Sequence, residues 1–462
     1  MNDTMGYRHI PHIFFIFITF LVATLPIRSV PTFIELMIGA MLTQAGFVTQ
    51  AWLAISMHRH WTSYYKWLQK GKWSWVALGL QMAKLLIKFF PNQQGFLVMD
   101  DTIIFRSSKK APGSKINHQH GTKANRPQYV RGQNWLSMAA VISHGLSAAA
   151  IPLLSAMMTA DGNTSKLDMA KILIRTIFPV FDDKYVCLLL DSWFMRKKLI
   201  LYALSKGFHV IGQVRKDTAL YDIPERTGKK GRPRKYGDKY TPARIAYLSQ
   251  KRERLFVYGK WQWVRYKSVV AKARFLNGGQ VRVVWVCLED NKGDPLNERL
   301  ILATDIFVSP CKIITAYARR WTIETMFSQI KNNWGWKEAW QQTSLVLHRW
   351  TQVLSIGYAI PQLLALKGEK QIAMLPGLTP WRVKRRITAG QVRLWLQRIL
   401  CHVKVRDWWN PKCRKFELPN LANAQYPIMN LRKNRHHYVK EQFLTHENTK
   451  KIKYNNVSDS NL

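Results

Sequence analysis

Three carboxylates, Asp100, Asp191 and Glu324, have the residue type and setting for metal-assisted phosphodiester chemistry. Asp100 lies within GFLVMDDTIIF (Gly95 to Phe105), a short apolar run of strand-forming residues with an acidic centre. Asp191 follows YVCLLL (Tyr185 to Leu190), a continuous apolar run expected of a strand buried on both faces. A carboxylate so placed is unfavourable unless it is paired or faces a cation. The carboxyl ends of strands are also where sites gather in α/β sheets. For either aspartate alone, capping a strand is the ordinary role; two of them in a strongly basic chain favour a metal site. Asp101 competes with Asp100, because neighbouring strand residues point to opposite faces.

Glu324 belongs to a segment of helical periodicity running from Ser309 through Asn332. Tyr317, Arg320, Glu324 and Lys331 stand there at offsets 0, 3, 7 and 14. At about 100° per residue they fall within roughly 60° of one another on a helix surface. One stripe then presents a phenol, a guanidinium, a carboxylate and an ammonium. Ion pairing of Arg320 with Glu324 explains one pair of the four. The stripe as a whole suits Glu324 as a third metal ligand, with Tyr317, Arg320 and Lys331 gripping phosphates.

The charge balance points to the same class of partner. The chain has 462 residues, with 70 Lys and Arg against 27 Asp and Glu, a formal charge of +43. Such an excess calls for a polyanion, and nucleic acid, whose neutralised phosphates release counterions, suits it better than an anionic membrane. At 47% hydrophobic the chain is not a disordered tail and can bury real cores. The five cysteines (Cys187, Cys287, Cys311, Cys401, Cys413) are scattered and include no C-x-x-C pair, which supports neither a zinc ribbon nor a disulfide framework and fits a reducing cytosol.

The elements that must position these residues follow from periodicity. Residues 1–90 are expected to be helical, and from His58 to Trp75 they mix aromatics with cations, a wet basic face or a DNA-facing one. Two apolar stretches, Ile10 to Ile27 and Phe33 to Met57, compete as membrane spans or a signal sequence. The prolines bounding the first and the polar residues in the second favour a buried helical pair. Residues 106–132 are expected to form a long functional loop. Strands are expected over Asn134 to Ser143, Ala148 to Met157 and Phe208 to Val214, and helices over Asp168 to Ile177, Met195 to Lys206 and Ser344 to Leu366. Short alternating stretches at 254–258, 261–266, 268–273 and 281–288 form a β-rich insertion, and a basic C-terminal region (Arg382, Lys384, Arg385, Arg386, Arg393, Arg398) ends in a tail expected to be disordered. The order indicates an α/β core.

The spacing Y-x2-R-x3-E-x6-K at Tyr317, Arg320, Glu324 and Lys331 resembles the signature of bacterial insertion-sequence transposases of the DDE type, in the subgroup named for those letters. Met99-Asp100-Asp101-Thr102 resembles that family's apolar-D-x-T run, which favours Asp100 over Asp101, and Leu190-Asp191-Ser192 its second aspartate. The resemblance is strong over about residues 95–345. It implies an α/β fold with an RNase H-like catalytic core (91–217 and 299–345) interrupted by the β-rich insertion (218–298). A helical DNA-binding region (1–90) and a helical basic C-terminal region (346–462) flank it.

It also implies DNA cleavage at element ends followed by attack of the freed 3′-OH on target DNA. The partners would be double-stranded DNA and, in the DNA complex, a second copy of the chain, with no small-molecule cofactor. The protein would be cytoplasmic and nucleoid-associated when bound. Hard oxygen donors suit Mg2+ or Mn2+, two ions serving an in-line displacement without a covalent protein nucleophile. A nuclease of the same core, an inactive DNA-binding copy and a membrane protein with a basic body are the competing readings.

Smaller features are read conservatively. His118-Gln119-His120 is expected to be a wet or DNA-contacting segment rather than a metal site, and Gly228 to Lys235 a basic hook on DNA. Core packing is the expected role of Trp261, Trp263 and Trp285, although related enzymes use an insertion-domain aromatic to hold a flipped base.

Overall fold

The computed structural model describes residues 11–55, 57–91, 93, 95–118, 127–159, 163–225, 233–367, 387–401, 404 and 408–416. Of two compact units, Ile10–Glu417 holds every element described; the other, Met1–His9 with Leu418–Leu462, lies outside the described residues. So do Gln119, His120, residues 228–232 of the basic hook and the cations Arg382 to Arg386.

The described residues between 11 and 90 form helices, as their periodicity predicts: α1 (His12–Val22), α2 (Val30–Leu42), α3 (Val48–Leu53), α4 (Trp61–Lys70) and α5 (Trp75–Phe89). The two apolar stretches are α1 and the α2–α3 pair, buried within the protein. No helix among the described residues is long and apolar enough to cross a membrane.

The sheet begins with β1 (Gly95–Phe105), β2 (Ser114–His118), β3 (Tyr129–His144) and β4 (Ser147–Met158). Then come α6 (Asn163–Ile177), β5 (Val186–Leu190), α7 (Lys197–Ser205) and β6 (Phe208–Val214). Strands β4, β3 and β1 are antiparallel neighbours, and β5 and β6 continue from β1 in parallel. Three antiparallel strands followed by two parallel ones is the RNase H-like order. The β3–β4 register shifts between Met138 and Ala139, opposite Pro152, where a bulge accommodates a residue with no N–H to donate. Part of the expected loop at 106–132 is strand: β2 pairs with β3, whose N-terminal half extends back to Tyr129. Ser114 to His118 has almost no apolar alternation, so only the edge it pairs with makes it a strand.

The β-rich segment comprises β7 (Leu220–Tyr221), α8 (Pro242–Ala246), β8 (Lys251–Val257), β9 (Lys260–Ala273), β10 (Gly279–Leu288) and β11 (Arg299–Ala303). The stretches expected as two strands at 261–266 and 268–273 are one strand, β9. These strands do not form a separate sheet. β11 pairs with β6 and β10 with β11, giving one eleven-stranded sheet in the order β2-β3-β1-β5-β6-β11-β10-β9-β7, with β4 on β3 and β8 on β9.

The chain continues as α9 (Pro310–Arg319), α10 (Thr322–Asn333), α11 (Ser344–Lys367), α12 (Ala389–Leu400) and a small hairpin of β12 (Trp409–Asn410) with β13 (Lys415–Phe416). The single helix expected from Ser309 to Asn332 is therefore two. At the junction Arg320 N–H donates to Tyr317 O and Glu324 N–H to Trp321 O, tight three-residue turns in place of the helical four-residue pattern. Tyr317 therefore belongs to α9 and Glu324 and Lys331 to α10, with Arg320 at the junction.

Helix α11 is buried almost all round and packs against β4, α2, α5 and α12, joining the helical layer to the sheet. Gly46, between α2 and α3, meets Gly335, just past α10. A Cβ on Gly46 would lie 1.7 Å from Gly335 O, and Gly335 holds a left-handed φ of 66°. Trp350 Nε1 donates to Gly46 O at 2.7 Å, so the two backbones are locked over the centre of α11.

Candidate active site

Asp100 and Asp101 occupy opposite faces of β1. Asp100 faces α10: Arg320 Nη1 is 3.3 Å from its Oδ2, and the Asp101 amide donates to its Oδ1 at 2.9 Å. Asp101 faces α6 and forms an ion pair with Lys166 at 2.5 Å. Asp191 lies just past β5, where its Oδ1 accepts from the Phe194 amide at 3.0 Å. Glu324, in the first turn of α10, accepts from Arg320 Nη2 at 2.8 Å. The guanidinium thus stands between Asp100 and Glu324.

Burial, followed by the nearby charges of Asp191 and Asp101, pushes the Asp100 carboxyl up to about 7, against the pull of Arg320 and the Asp101 amide. An Asp100 carboxyl raised in part by the charge of Asp191 is an oxygen donor that a hard divalent cation would relieve. Asp100 and Asp191 fit such an ion in chemistry. Glu324 does not join them as placed, and no three His, Cys, Asp or Glu side chains converge as metal ligands among the described residues.

The pH dependence of stability follows from this strain. The Asp100 carboxyl ordinarily ionises near 3.8, so between about 4 and 7 the folded state keeps a proton that the unfolded chain releases. Its contribution makes the protein less stable as pH rises through that window, and the loss is complete above about 7. Asp100→Asn is expected to raise stability in chelator at pH 8 by at most about 4 kcal/mol. At pH 4 the gain should largely vanish. Urea unfolding at the two pH values measures it, and an equal effect at both would contradict the assignment.

Beside Asp191 is a cavity of about 300 Å³ lined by Asp191, Ser192, Gln213, Tyr258, Arg299, Tyr317, Arg320 and Trp321. Tyr317 is buried, which pushes its phenol up to about 12, and its hydroxyl donates to Gln213 Oε1 at 3.3 Å. Lys331 is not among the lining residues; its Nζ donates to Ile103 O on β1 at 3.0 Å. Of the expected site residues, the structure gathers Asp100, Asp191, Tyr317, Arg320 and Glu324 around the guanidinium and cavity, and places Lys331 along β1.

Gln213, Tyr258, Arg299 and Trp321 are lining residues that sequence reasoning missed. Gln213 is near the carboxyl end of β6, a position that parallel-sheet logic marks in hindsight. Tyr258 and Gly259 form the two-residue tip of the β8–β9 hairpin, both with positive φ (53° and 82°). Arg299 Nη1 donates to the Tyr258 hydroxyl at 3.2 Å. The tip is held over the site by packing of β8 and β9 on α9, where Glu253 accepts from the Tyr266 hydroxyl and from the Cys311 thiol. At the far end of these strands, Glu289 is buried between Arg252 and Arg265.

Core packing holds for Trp285, which is 4% exposed, but not for its two companions. Trp261 and Trp263 are 52% and 43% exposed; they lie on the part of β9 that pairs with β8 beyond the end of the β10 ladder at Val264. The Arg252 guanidinium stacks on Trp263 at 4.4 Å.

A family described as DDE superfamily endonuclease matches residues 35–271, just over half of the chain, including Asp100 and Asp191 but ending before Glu324. Curated protein sequences give no match. Among solved structures, a piggyBac transposase synaptic complex with hairpin DNA, determined by cryo-EM, is similar with a TM-score of 0.32 and 12% identity. That similarity covers 67% of this chain and 53% of that one, so the chain spans about half the length of that relative. On the family match, with two of the three candidate carboxylates inside it, this chain belongs to the DDE superfamily endonucleases.

Proposed function

We propose that this endonuclease is a DNA transposase, which cleaves DNA at the ends of an element and joins the freed 3′-OH to target DNA. The observation that carries this reading is Arg320, whose guanidinium reaches both Asp100 and Glu324 beside the Asp191 cavity. An arginine fork suits a phosphate as well as it suits carboxylates. When Arg320 engages a DNA phosphate it releases Glu324, whose carboxylate becomes the third donor beside Asp100 and Asp191. Bound Mg2+ or Mn2+ would activate water or a 3′-hydroxyl and stabilise the leaving oxygen. Tyr317 orients the backbone near the cut, and Lys331, now on the Ile103 carbonyl, supplies a second cation for phosphate.

The α4 face fits a role in holding duplex DNA. Tyr64 and Leu68 are buried while Trp61, Lys66 and Lys70 are exposed, so the helix offers an aromatic ring and two cations to solvent. Pairing two element ends calls for two copies of the chain.

The test uses the purified full-length protein, a labelled duplex from the DNA flanking its gene, a supercoiled plasmid, and Mg2+ or Mn2+. Covalent joining of labelled 3′ ends to the plasmid is the expected product. Cleavage without joining would reduce the reading to a nuclease. Neither product, with duplex binding retained, would indicate an inactive copy.

A further inference from the structure

On the face of the sheet opposite the cavity, one ammonium group connects to both aspartates of the candidate site. Lys166 projects from α6, and its Nζ lies 2.5 Å from Asp101 Oδ1, 4.0 Å from the centre of the Trp193 ring and 5.2 Å from that of Phe194. Each arm ends one backbone amide from a carboxylate. The Asp101 N–H donates to Asp100, and the Phe194 N–H donates to Asp191.

The sheet itself does not fix the spacing of these two aspartates. Strands β1 and β5 are in register only from Gly95 with Val186 to Val98 with Leu189. Asp100 and Asp191 each stand two residues beyond the last paired position, where the two chains are free of each other's ladder. Lys166 bridges the gap beyond it. The Lys166 and Asp101 side chains are only 16% and 20% exposed, which shields the pair from solvent screening, and the Trp193 face adds a cation–π contact.

We propose that Lys166 is a positioning residue that sets the separation of Asp100 and Asp191 and thereby the affinity for the divalent ion. This rests on the reading that these two carboxylates bind that ion. Charge and position make opposite predictions. Removing a nearby positive charge strengthens binding of a cation by electrostatics alone, whereas losing the bridge weakens it. Partners that orient metal ligands from behind are worth about 10- to 100-fold in metal affinity.

The experiment is Mn2+ binding to the full-length protein without DNA, followed by electron paramagnetic resonance of free Mn2+, with thermal unfolding in chelator run in parallel. Lys166→Met is expected to weaken binding about tenfold or more, and Lys166→Arg to stay within about threefold of wild type. Trp193→Leu, which changes no charge, is expected to weaken binding several-fold and serves alone if Lys166→Met does not fold. Folded Lys166→Met that binds Mn2+ as tightly as wild type or more tightly would overturn the proposal, as would undiminished binding by Trp193→Leu. Asp191→Asn separates the two readings: if it leaves Mn2+ binding intact, the metal-site assignment itself fails, whatever the Lys166 variants do.

Discussion

Asp191→Asn is expected to lower metal-dependent DNA cleavage by about three powers of ten or more, equivalent to about 4 kcal/mol of barrier, in a protein that still folds. The asparagine keeps an oxygen for the Phe194 amide, so the turn after β5 survives. What is lost is the charge facing Asp100. The Asp100 carboxyl, raised first by burial and next by Asp191, then moves back down, and a single ionised aspartate is left to hold the ion. An asparagine amide in place of one of the two carboxylates that would hold the ion binds a divalent cation far more weakly. Cleavage of a labelled duplex across a Mn2+ titration, with circular dichroism as the folding control, measures this. Wild-type cleavage by the folded variant would remove Asp191 from the active site.

Arg349→Ala is expected to destabilise the protein by about 3 kcal/mol or more, through backbone groups far apart in sequence from the arginine. Arg349 lies in α11, is 6% exposed, and donates to Leu68 O and Gln69 O through Nη1 and to Gly71 O and Trp73 O through Nη2. Those carbonyls include the open C-terminal end of α4, where a cation also opposes the helix dipole favourably. Each buried carbonyl left without a partner costs about 1–3 kcal/mol, and alanine restores none of them. The Trp73 ring, stacked 4.9 Å from the guanidinium, loses its cover as well. Urea unfolding should show an earlier midpoint, and hydrogen exchange should accelerate first at residues 61–73. An unchanged midpoint would mean that this arginine does not hold α4. Because α4 carries the exposed Trp61, Lys66 and Lys70, weaker duplex binding should accompany the loss.

Arg349 illustrates why part of this fold was hidden in the sequence. Its place within an apolar helix gave no sign that it caps another helix some 280 residues earlier. Arg393 is similar: expected as part of a basic C-terminal region, it is buried and bonds the carbonyls of Met41, Thr43 and Asn333. Counting cations suggested a DNA-facing surface, but it could not separate those that meet solvent from those spent on backbone oxygens.

Where periodicity is strong, local sequence decided the outcome. The runs around Asp100 and Asp191 are strands because β-branched and aliphatic residues have few other ways to be buried at that length, and Ser344 to Lys367 is a helix for the corresponding reason. The spacing of Tyr317, Arg320 and Glu324 placed an arginine beside a glutamate, and the short separation kept them together even when the helix broke between them. Tertiary structure decided the rest. Whether Asp100 or Asp101 faces Arg320 depends on which face of β1 α10 covers, a choice that alternation leaves two-valued. Tyr258 and Arg299 reach the cavity because β11 returns to pair with β6, bringing with it the strands whose hairpin tip carries Tyr258. The residues of the candidate site were thus legible one strand or helix at a time; their meeting was fixed by pairings between strands distant in sequence, on which local patterns carry no information.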